Sequence, residues 1–210
     1  MTATERRFST GLPFLDRKIG GGFVPGDLLA LTAPPASQAE LLVAQFLSAR
    51  RTTYLSTVRE VEEIRAWADA TTTAEGLTVQ TTTPEALLDD PDDALDSLEP
   101  ESFLVIDTVD GLETAPRDRY LEFTTRLKRR LRETDSVGVL YCTDQHDNPP
   151  RRGLTLNRAD TVWQLEVLVL SREIKSRLLI TKSRNGWALT EPIPLLLTDR
   201  VQVDTSRRIS

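Results

Sequence analysis

The residues with the clearest chemical meaning occupy positions 33–40, which read A-P-P-A-S-Q-A-E. A phosphate-binding loop has the form G-x-x-x-x-G-K-[ST]: its glycines let backbone N–H groups converge on an anion, its lysine reaches the β- and γ-phosphates, and its hydroxyl binds Mg²⁺. Here the four fixed positions are Ala33, Gln38, Ala39 and Glu40. The segment has the place of a phosphate-binding loop without the residues that bind phosphate. We call it the degenerate loop: Ala33, Pro34, Pro35, Ala36, Ser37, Gln38, Ala39 and Glu40.

Two of these residues bear directly on nucleotide chemistry. Ala39 stands where a cation would neutralise phosphate charge, and Glu40 brings a carboxylate to the place where Mg²⁺-bound phosphates would lie. A helix that begins here still favours an anion by up to about 1 kcal/mol, although Glu40 in the first turn can satisfy that preference internally. The sequence therefore favours an empty structural loop over weak or altered nucleotide binding, and disfavours ordinary ATP hydrolysis.

The chain contains little material for a soft metal site, because it has one cysteine and one histidine. Cys142 lies in the apolar run 137–142, so we expect a small buried hydrophobic residue and not a nucleophile or ligand. His146 follows that run in a polar loop, and we expect it to face solvent.

Composition limits the class of protein. With 210 residues, the chain is long enough for one α/β domain and too short for two of ordinary size. No apolar stretch has the length of a membrane span or the form of a secretory signal, so we predict a cytoplasmic protein without a membrane partner. The net charge is −6 with only four lysines, which suits either a high-salt environment or a GC-rich genome. The acidic balance disfavours non-specific DNA binding, but a local basic patch could still provide it.

Short apolar runs alternate with longer helical patterns, which predicts βα units and a parallel sheet. Strands are predicted at residues 27–32, 52–57, 77–81, 102–107 and 136–143, and helices at residues 40–51, 59–70 and 117–133. The acidic segment 84–101 is predicted to be a solvated loop or broken helix and not a metal site. A polar loop is predicted at residues 144–152.

The last part of the chain indicates β structure. Segments at residues 161–170, 177–182 and 186–189 are predicted to be β strands, with antiparallel pairing at one edge of the sheet. No internal repeat or linker divides the sequence, so we predict one domain. Its parts are an N-terminal motif (1–26), an α/β core (27–145) and a β-rich C-terminal part (146–210).

Residues 9–27 read S-T-G-L-P-F-L-D-R-K-I-G-G-G-F-V-P-G-D. This segment closely resembles the motif that precedes the first core strand in RecA-superfamily ATPases of the KaiC/RadA-like kind. In that family the phosphate-binding loop follows the strand at once, which aligns the degenerate loop without a gap. Residues 102–107 resemble a Walker B strand, and residues 182–184 resemble the family's K-x-R element. Residues 188–192 and 203–207 resemble short KaiC-like proteins of salt-loving archaea.

The resemblance implies a RecA-like α/β fold, with a mostly parallel central sheet flanked by helices and antiparallel strands at the C-terminal edge. Ala36 stands where many relatives carry glycine, and a Cβ at a position with φ above zero would cost about 1–2 kcal/mol. Asp107 is the residue that would bind Mg²⁺ if a Mg-nucleotide were bound. Its alternative role is that of a strand-end residue bonded to its neighbours.

Active KaiC-like ATPases place a catalytic glutamate just after the second strand. Here Thr57 and Val58 stand near that position, and Glu60 is displaced from it by one or two residues. Gln145 occupies the place of a sensor for the γ-phosphate. Lys182 and Arg184 match a lysine and an arginine that, in KaiC-like hexamers, reach the neighbouring subunit's nucleotide. Their alternative role in this chain is to form surface ion pairs.

The loop at residues 144–158 corresponds roughly to the DNA-contacting loop of recombinases. It carries Arg151, Arg152 and Arg158 but lacks the length and glycines of that loop. Both Trp163 and Trp187 are expected to pack inside the domain, and an exposed tryptophan would instead indicate a partner surface.

The sequence favours a catalytically inactive RecA/KaiC-like domain that acts as a regulatory or scaffolding subunit. It would assemble with itself or with an active RecA/KaiC-like paralogue and lend Lys182 and Arg184 to a partner's nucleotide site. No cofactor is expected in that case. One alternative is a divergent ATPase that binds ATP and Mg²⁺ through a non-standard loop. The other is a DNA-associated accessory protein of recombinases.

Overall fold

The computed structural model describes residues 6–187 and 189–204, and a nine-stranded sheet forms the centre of this part of the chain. The strands are β1 (Leu28–Ala33), β2 (Thr52–Ser56), β3 (Leu77–Thr81), β4 (Phe103–Asp107), β5 (Val137–Thr143), β6 (Thr161–Val169), β7 (Ile174–Ser183), β8 (Ile193–Leu197) and β9 (Val201–Val203). Their order across the sheet is β3-β2-β4-β5-β1-β6-β7-β8-β9.

Helices cover both faces of the sheet. They are α1 (Pro13–Lys18), α2 (Glu40–Ala49), α3 (Val61–Thr71), α4 (Pro84–Asp89), α5 (Pro91–Leu95), α6 (Arg117–Glu133) and α7 (Arg152–Arg158), with a 3₁₀ turn at Leu112–Thr114. In the spatial order of the sheet, the first six strands (β3, β2, β4, β5, β1 and β6) pair in parallel, whereas β6, β7, β8 and β9 pair antiparallel. The predicted fold class is therefore confirmed.

Strand β1 shows why the parallel part of the sheet reads as continuous apolar runs. All six of its residues are buried, because helices cover both faces. Leu29 and Leu31 pack into one core with Phe46 of α2, whereas Leu28 packs into the core on the opposite face with Phe123 of α6. The degenerate loop follows this strand and leads directly into α2.

The glycine run of the N-terminal motif has a steric cause. Phe8 and Phe23 exchange two backbone hydrogen bonds of 2.8 Å, and both rings pack against Phe103 in the core. Gly22 lies at φ 109°, and a Cβ there would stand 2.0 Å from the Phe8 carbonyl oxygen. Only glycine fits, since a side chain would collide with backbone that the bridge holds in place.

Most predicted elements match the observed ones within two residues, and the bounds of β3 and α6 agree fully. Helices α1 and α7 were not predicted. The prediction of a strand at residues 186–189 was wrong for its described part, because these residues precede β8 without joining the sheet; Ala188 lies outside the described residues. Of the C-terminal segment 203–207, residues 205–207 also lie outside them.

The acidic segment is a broken helix, one of the two forms predicted for it. It forms α4 and α5, anchored by three buried leucines, Leu87, Leu95 and Leu98. Its carboxylates pair with arginines of α6: Asp89 with Arg119, Asp92 with Arg126, and Asp96 with Arg130. Among the described residues, no group of three or more His, Cys, Asp and Glu side chains could hold a metal ion.

Within the same residues, none of the helices combines the length and apolar character needed to cross a membrane.

Candidate functional site

Arg59 lies between the carboxylate of Asp107, at the end of β4, and that of Glu40, at the start of α2. The Asp107 carboxylate is 3 % exposed and accepts a 2.7 Å hydrogen bond from the Arg59 guanidinium. It also accepts a 2.6 Å bond from the Tyr54 hydroxyl, to which Arg59 donates at 2.7 Å. The other end of the guanidinium lies 3.9 Å from the Glu40 carboxylate. Asp107 and Glu40 are thus linked through a cation that belongs to the chain itself.

The sheet register brings these groups together. Strands β2 and β4 pair in parallel with Ser56 opposite Asp107, so both strands end at the same edge. The buried Ser56 hydroxyl accepts hydrogen bonds from the backbone N–H groups of Val58 and Arg59 and holds the turn after β2. The Arg59 guanidinium also lies 5.2 Å from the ring centre of Trp67 on α3, a cation–π contact. These contacts aim the side chain back across the strand ends.

Burial and neighbouring charges shift the pKa values of Arg59 and of two tyrosines at this site. Burial lowers the pKa of Arg59, but Tyr54, Asp107 and Glu40 outweigh it and raise the pKa overall. Burial and the adjacent Asp107 charge hold the pKa of Tyr54 well above its ordinary value. Burial, Asp107 and Glu40 also raise the pKa of Tyr141, opposite Asp107 on β5, to about 12. Near neutral pH, neutral phenols therefore surround an Asp–Arg ion pair.

The degenerate loop keeps left-handed backbone positions without glycine. Ala36 has φ 56° and Gln38, at the second glycine position of the motif, has φ 58°. Each Cβ in this region costs about 1–2 kcal/mol, so the surrounding contacts must hold the loop in place. One such contact is a 2.7 Å hydrogen bond from the Asp144 N–H to the Ala33 carbonyl. Ser37 is 8 % exposed, and its hydroxyl has no hydrogen-bond partner in the described structure.

The residues around the loop do not fit a Mg-nucleotide. Ala39 is buried and apolar where a phosphate-binding cation is needed. Glu40 offers a carboxylate in place of a neutral hydroxyl, which would repel phosphate oxygens. Asp107 already accepts hydrogen bonds from a guanidinium and a phenol instead of facing a metal ion. This set of side chains matches an internal guanidinium better than Mg²⁺ with phosphates.

None of the residues considered near the position of the catalytic glutamate is arranged as a general base. The Thr57 hydroxyl donates to the Thr108 carbonyl at 2.8 Å, and Val58 is 65 % exposed. Glu60 is the N-cap residue of α3 and forms a capping box with Glu63. Arg59, in the middle of this turn, was not identified from the sequence. Its signal is a basic residue directly after the second strand, next to the place where a glutamate is expected.

Gln145, the candidate sensor, is exposed in the loop after β5, and its backbone N–H donates to Asn148 at 3.2 Å. Its sensor role stays a prediction. His146 is also exposed, as expected.

Lys182 and Arg184 lie far from the degenerate loop of their own chain. Lys182 pairs with Val162 at the start of β6, beside the amino end of β1, whereas the loop follows the carboxyl end of β1. The Lys182 ammonium donates to the carbonyls of Leu156 and Asn157 at 2.8 and 3.0 Å. Arg184 donates to the same Asn157 carbonyl at 3.1 Å. Both cations thus cover the C-terminal turn of α7.

Surface ion pairs, the alternative role predicted for Lys182 and Arg184, are a minor part of their contacts. Arg184 lies 3.8 Å from Asp160, whose carboxylate is already paired with Lys128 at 2.6 Å. Burial, followed by the neighbouring charge of Arg184, lowers the pKa of Lys182.

The segment compared with a DNA-contacting loop is partly helical. Arg152 begins α7 and is buried, where it contacts Glu113 at 2.9 Å and Asp110 at 2.9 Å. Arg151 donates to the Ala115 carbonyl at 3.2 Å. The predicted loop at residues 144–152 is confirmed as far as residue 151, after which α7 begins. Arg152 is not available for a surface contact, because its guanidinium is buried in these ion pairs. A polar interior satisfied by ion pairs explains why α7 lacks apolar periodicity.

Two of the three predictions about packed residues are confirmed. Cys142 and Trp163 are fully buried. Trp187 lies beside Gly20 but is 65 % exposed, so the expectation that it packs inside the domain was wrong.

Comparison with known proteins places the chain in a family. Residues 7–210 match the family described as "Family of unknown function (DUF7125)". The chain belongs to this family. No curated protein matches it. In this DUF7125 chain, Arg59 links the Asp107 carboxylate to that of Glu40 in the degenerate loop.

The fold of this DUF7125 chain is similar to that of a solved archaeal protein, the KaiC-like protein PH0186 from Pyrococcus horikoshii OT3. The TM-score is 0.77 at 18 % sequence identity, and the match covers 94 % of this chain and 98 % of that chain. The predicted RecA/KaiC-like fold is confirmed. The resemblance to proteins of salt-loving archaea stays a prediction.

Proposed function

We propose that this protein is a RecA/KaiC-like domain that does not hydrolyse ATP and acts as a regulatory or scaffolding subunit. The observation that carries the proposal is the Arg59 guanidinium, which contacts Asp107 at 2.7 Å and lies 3.9 Å from Glu40. An active site of this fold uses the corresponding carboxylate and hydroxyl for Mg²⁺. Here a fixed internal cation stands in for the metal, and no lysine is present in the loop to bind phosphate.

Nucleotide binding would have to overcome two unfavourable terms. Removing one partner of a buried ion pair typically costs about 3–5 kcal/mol, so separating Arg59 from Asp107 is expensive unless Mg²⁺ compensates fully. The Glu40 carboxylate would then face phosphate oxygens of the same charge. The loop contributes no side-chain cation against this repulsion, since Ala39 occupies the lysine position.

The regulatory part of the proposal concerns Lys182 and Arg184. They stand at the amino ends of β1 and β6, opposite their own degenerate loop, which supports a role at a neighbouring molecule's site over a role at their own. We infer that an active RecA/KaiC-like paralogue is the partner that these cations would complete. To reach it, they must leave the carbonyls of Leu156 and Asn157.

Calorimetric titration with Mg-ATP and a phosphate-release assay test the absence of hydrolysis. We expect neither binding heat nor phosphate release from the purified protein. Micromolar binding together with phosphate release that Asp107→Asn abolishes would overturn the proposal. Loss of release in that variant is needed, because it separates activity of this chain from a contaminating ATPase.

Restoring the loop tests the role of Arg59. One variant carries Gln38→Gly, Ala39→Lys and Glu40→Thr, and a second carries the same changes with Arg59→Ala. We expect Mg-ATP binding in the second variant only, because the first retains the internal cation. Arg65→Ala, an exposed arginine on α3, replaces Arg59→Ala in the matched control. Equal binding by the first and second variants would show that Arg59 does not block the site.

A further inference from the structure

The bend after β7 contains Asn185–Gly186, the only Asn–Gly pair in the sequence. An asparagine that precedes glycine is chemically labile, because no side chain hinders the glycine nitrogen from attacking the carbonyl carbon of the asparagine side chain. The two other asparagines lack such a neighbour. Asn148 precedes Pro149, whose nitrogen carries no hydrogen, and Asn157 precedes an arginine within α7. The bend therefore holds the most reactive asparagine of the chain.

Three hydrogen bonds anchor this bend to the rest of the domain. The Arg184 N–H donates to the Asp160 carbonyl at 3.0 Å. The side-chain amide of Asn185 donates to the Asp27 carboxylate at 2.6 Å. The Arg7 guanidinium donates to the backbone carbonyl of Asn185 at 3.0 Å. Asn185 is thus exposed to water and yet held in one position by contacts on its side chain and on its backbone.

The contact with Arg7 bears on the reactivity of the pair. The Asn185 carbonyl and the Gly186 nitrogen belong to one conjugated peptide group, so loss of the N–H proton places negative charge on that carbonyl oxygen. A guanidinium 3.0 Å from the oxygen stabilises this charge, as fixed donors do where charge develops in a reaction. Arg7 is oriented by a second hydrogen bond, of 3.2 Å, to the Gly22 carbonyl. The fold therefore makes the attacking nitrogen easier to deprotonate.

We propose that Asn185 is a site of spontaneous deamidation. The Gly186 nitrogen gives its proton to water or hydroxide and bonds to Cγ of Asn185. The bond from Cγ to Nδ2 then breaks, and Nδ2 leaves as ammonia after taking up a proton from water. A second water opens the succinimide ring at either carbonyl, which leaves aspartate or isoaspartate at position 185. Water is the only co-reactant, so the step needs no oxidant and no other protein.

The reaction removes one of the three anchors of the bend. Asp27 is 5 % exposed, and burial raises its pKa, so this carboxyl group already resists a further negative charge nearby. Deamidation replaces its amide donor with a second carboxylate, and two carboxylates at this distance repel each other. Isoaspartate also lengthens the main chain.

The bend carries Arg184 and directly follows Lys182, so deamidation loosens the segment that holds both cations. The modification site itself does not depend on whether these two residues serve a partner's nucleotide.

Peptide mapping by mass spectrometry tests the site in the folded, full-length chain during incubation at mildly alkaline pH. We expect aspartate and isoaspartate to accumulate at Asn185 while Asn148 and Asn157 stay intact. Arg7→Ala should slow the reaction about tenfold, since a hydrogen bond to a charged group is worth a factor of that size. Arg17→Ala, an exposed arginine on α1, should leave the rate unchanged. In urea, Arg7→Ala should have no effect, because unfolding removes the contact.

The outcomes separate the site from the role of Arg7. An intact Asn185 after prolonged incubation, or equal rates at all three asparagines, would overturn the site. An unchanged or higher rate in folded Arg7→Ala would overturn the activation, because a contact that only holds the bend still would protect Asn185 and not accelerate its loss.

Limited digestion with trypsin, which cleaves after lysine and arginine, reports the anchoring of the bend. Aged wild-type protein should be cut at Lys182 or Arg184 faster than fresh protein. Asn185→Gln keeps an amide but forms an imide far more slowly, so its cleavage should not change with age. Asn185→Asp should be cut fast from the start, and Asp27→Asn added to it should restore resistance by recreating an amide–carboxylate pair. Equal cleavage of fresh and fully deamidated protein would contradict the loss of the anchor.

Discussion

Arg59 and Asp107 form a 2.7 Å ion pair at the edge of the sheet where β2 and β4 end. The arginine side chain is 23 % exposed and the carboxylate is 3 % exposed, so the aspartate has exchanged water for this guanidinium and the Tyr54 hydroxyl. A carboxylate this deeply buried requires a positive partner. In this chain the partner is an arginine from the turn after β2.

Replacing Arg59 with alanine should destabilise the protein. The change leaves Asp107 buried without its cation, and partial access of water to the Arg59 position lowers the loss to about 2–3 kcal/mol, below that of a fully buried pair. Urea unfolding measures the difference. The double variant with Asp107→Asn should lose less than the sum of the single changes, with a coupling of about 1–3 kcal/mol. Arg65→Ala should stay within about 0.5 kcal/mol of the wild type. Strict additivity of the two changes would show that the ion pair contributes nothing.

Glycine at the left-handed positions of the degenerate loop should stabilise the protein. Ala36→Gly and Gln38→Gly each relieve about 1–2 kcal/mol of backbone strain and lose about 0.4–1 kcal/mol through the freer unfolded chain. We expect a net gain of about 0.5–1 kcal/mol for each. In contrast, Ala66→Gly in α3 should lose about 1 kcal/mol, since its backbone is helical. Chemical unfolding of the three variants checks the sign; destabilisation by both loop variants would contradict it.

The tyrosines should report the packing of the protein interior at alkaline pH. All three, Tyr54, Tyr120 and Tyr141, have a pKa raised above the ordinary 10.0, in each case first by burial. Because the folded state holds these protons more tightly, the associated stability is complete below about pH 10 and falls as pH rises. Tyrosinate absorbance should start with Tyr141 near its pKa of about 12, and Tyr54 and Tyr120 should follow only on unfolding.

The matching control is a titration in denaturant, in which all three phenols should ionise near pH 10. Ionisation of Tyr54 or Tyr141, the two tyrosines next to Asp107, near pH 10 in the folded protein would show that the site is open to solvent. Tyr141→Phe should remove the first step of the folded-state titration and leave the rest unchanged.

Lys182 and Arg184 should affect a partner more than their own chain. Removal of a trans-acting cation lowers phosphoryl-transfer rates by about 10³-fold or more, so the double alanine variant should strongly reduce the ATPase rate of an active paralogue in a verified complex. The loss of stability in this chain should stay near 1 kcal/mol, since the two cations only cover the end of α7. Arg17→Ala, at an exposed position of α1, is the control. An unchanged ATPase rate of the paralogue in an intact complex would contradict a trans-acting role of Lys182 and Arg184.

Local patterns predicted the architecture well because each core strand is a short apolar run and each long helix has an apolar stripe. This holds for β3 and α6, whose bounds agree with the structure. It fails for α7, because Arg152 and Thr155 are buried through ion pairs and hydrogen bonds and not through apolar periodicity. The expectation for Trp187 failed for a different reason: the local sequence does not distinguish an exposed tryptophan from one that packs inside the domain.

The sequence by itself determined that the chain has the RecA/KaiC-like layout and that its loop lacks the lysine and hydroxyl of a phosphate-binding loop. Both follow from residue types at fixed spacing along the chain. Only the tertiary structure decided what stands in that place instead. Arg59 acquires its role from Tyr54, Asp107 and Glu40, which lie up to 48 residues from it and meet it through the parallel register of the sheet. Such an ion pair depends on distance in space and not on spacing in sequence.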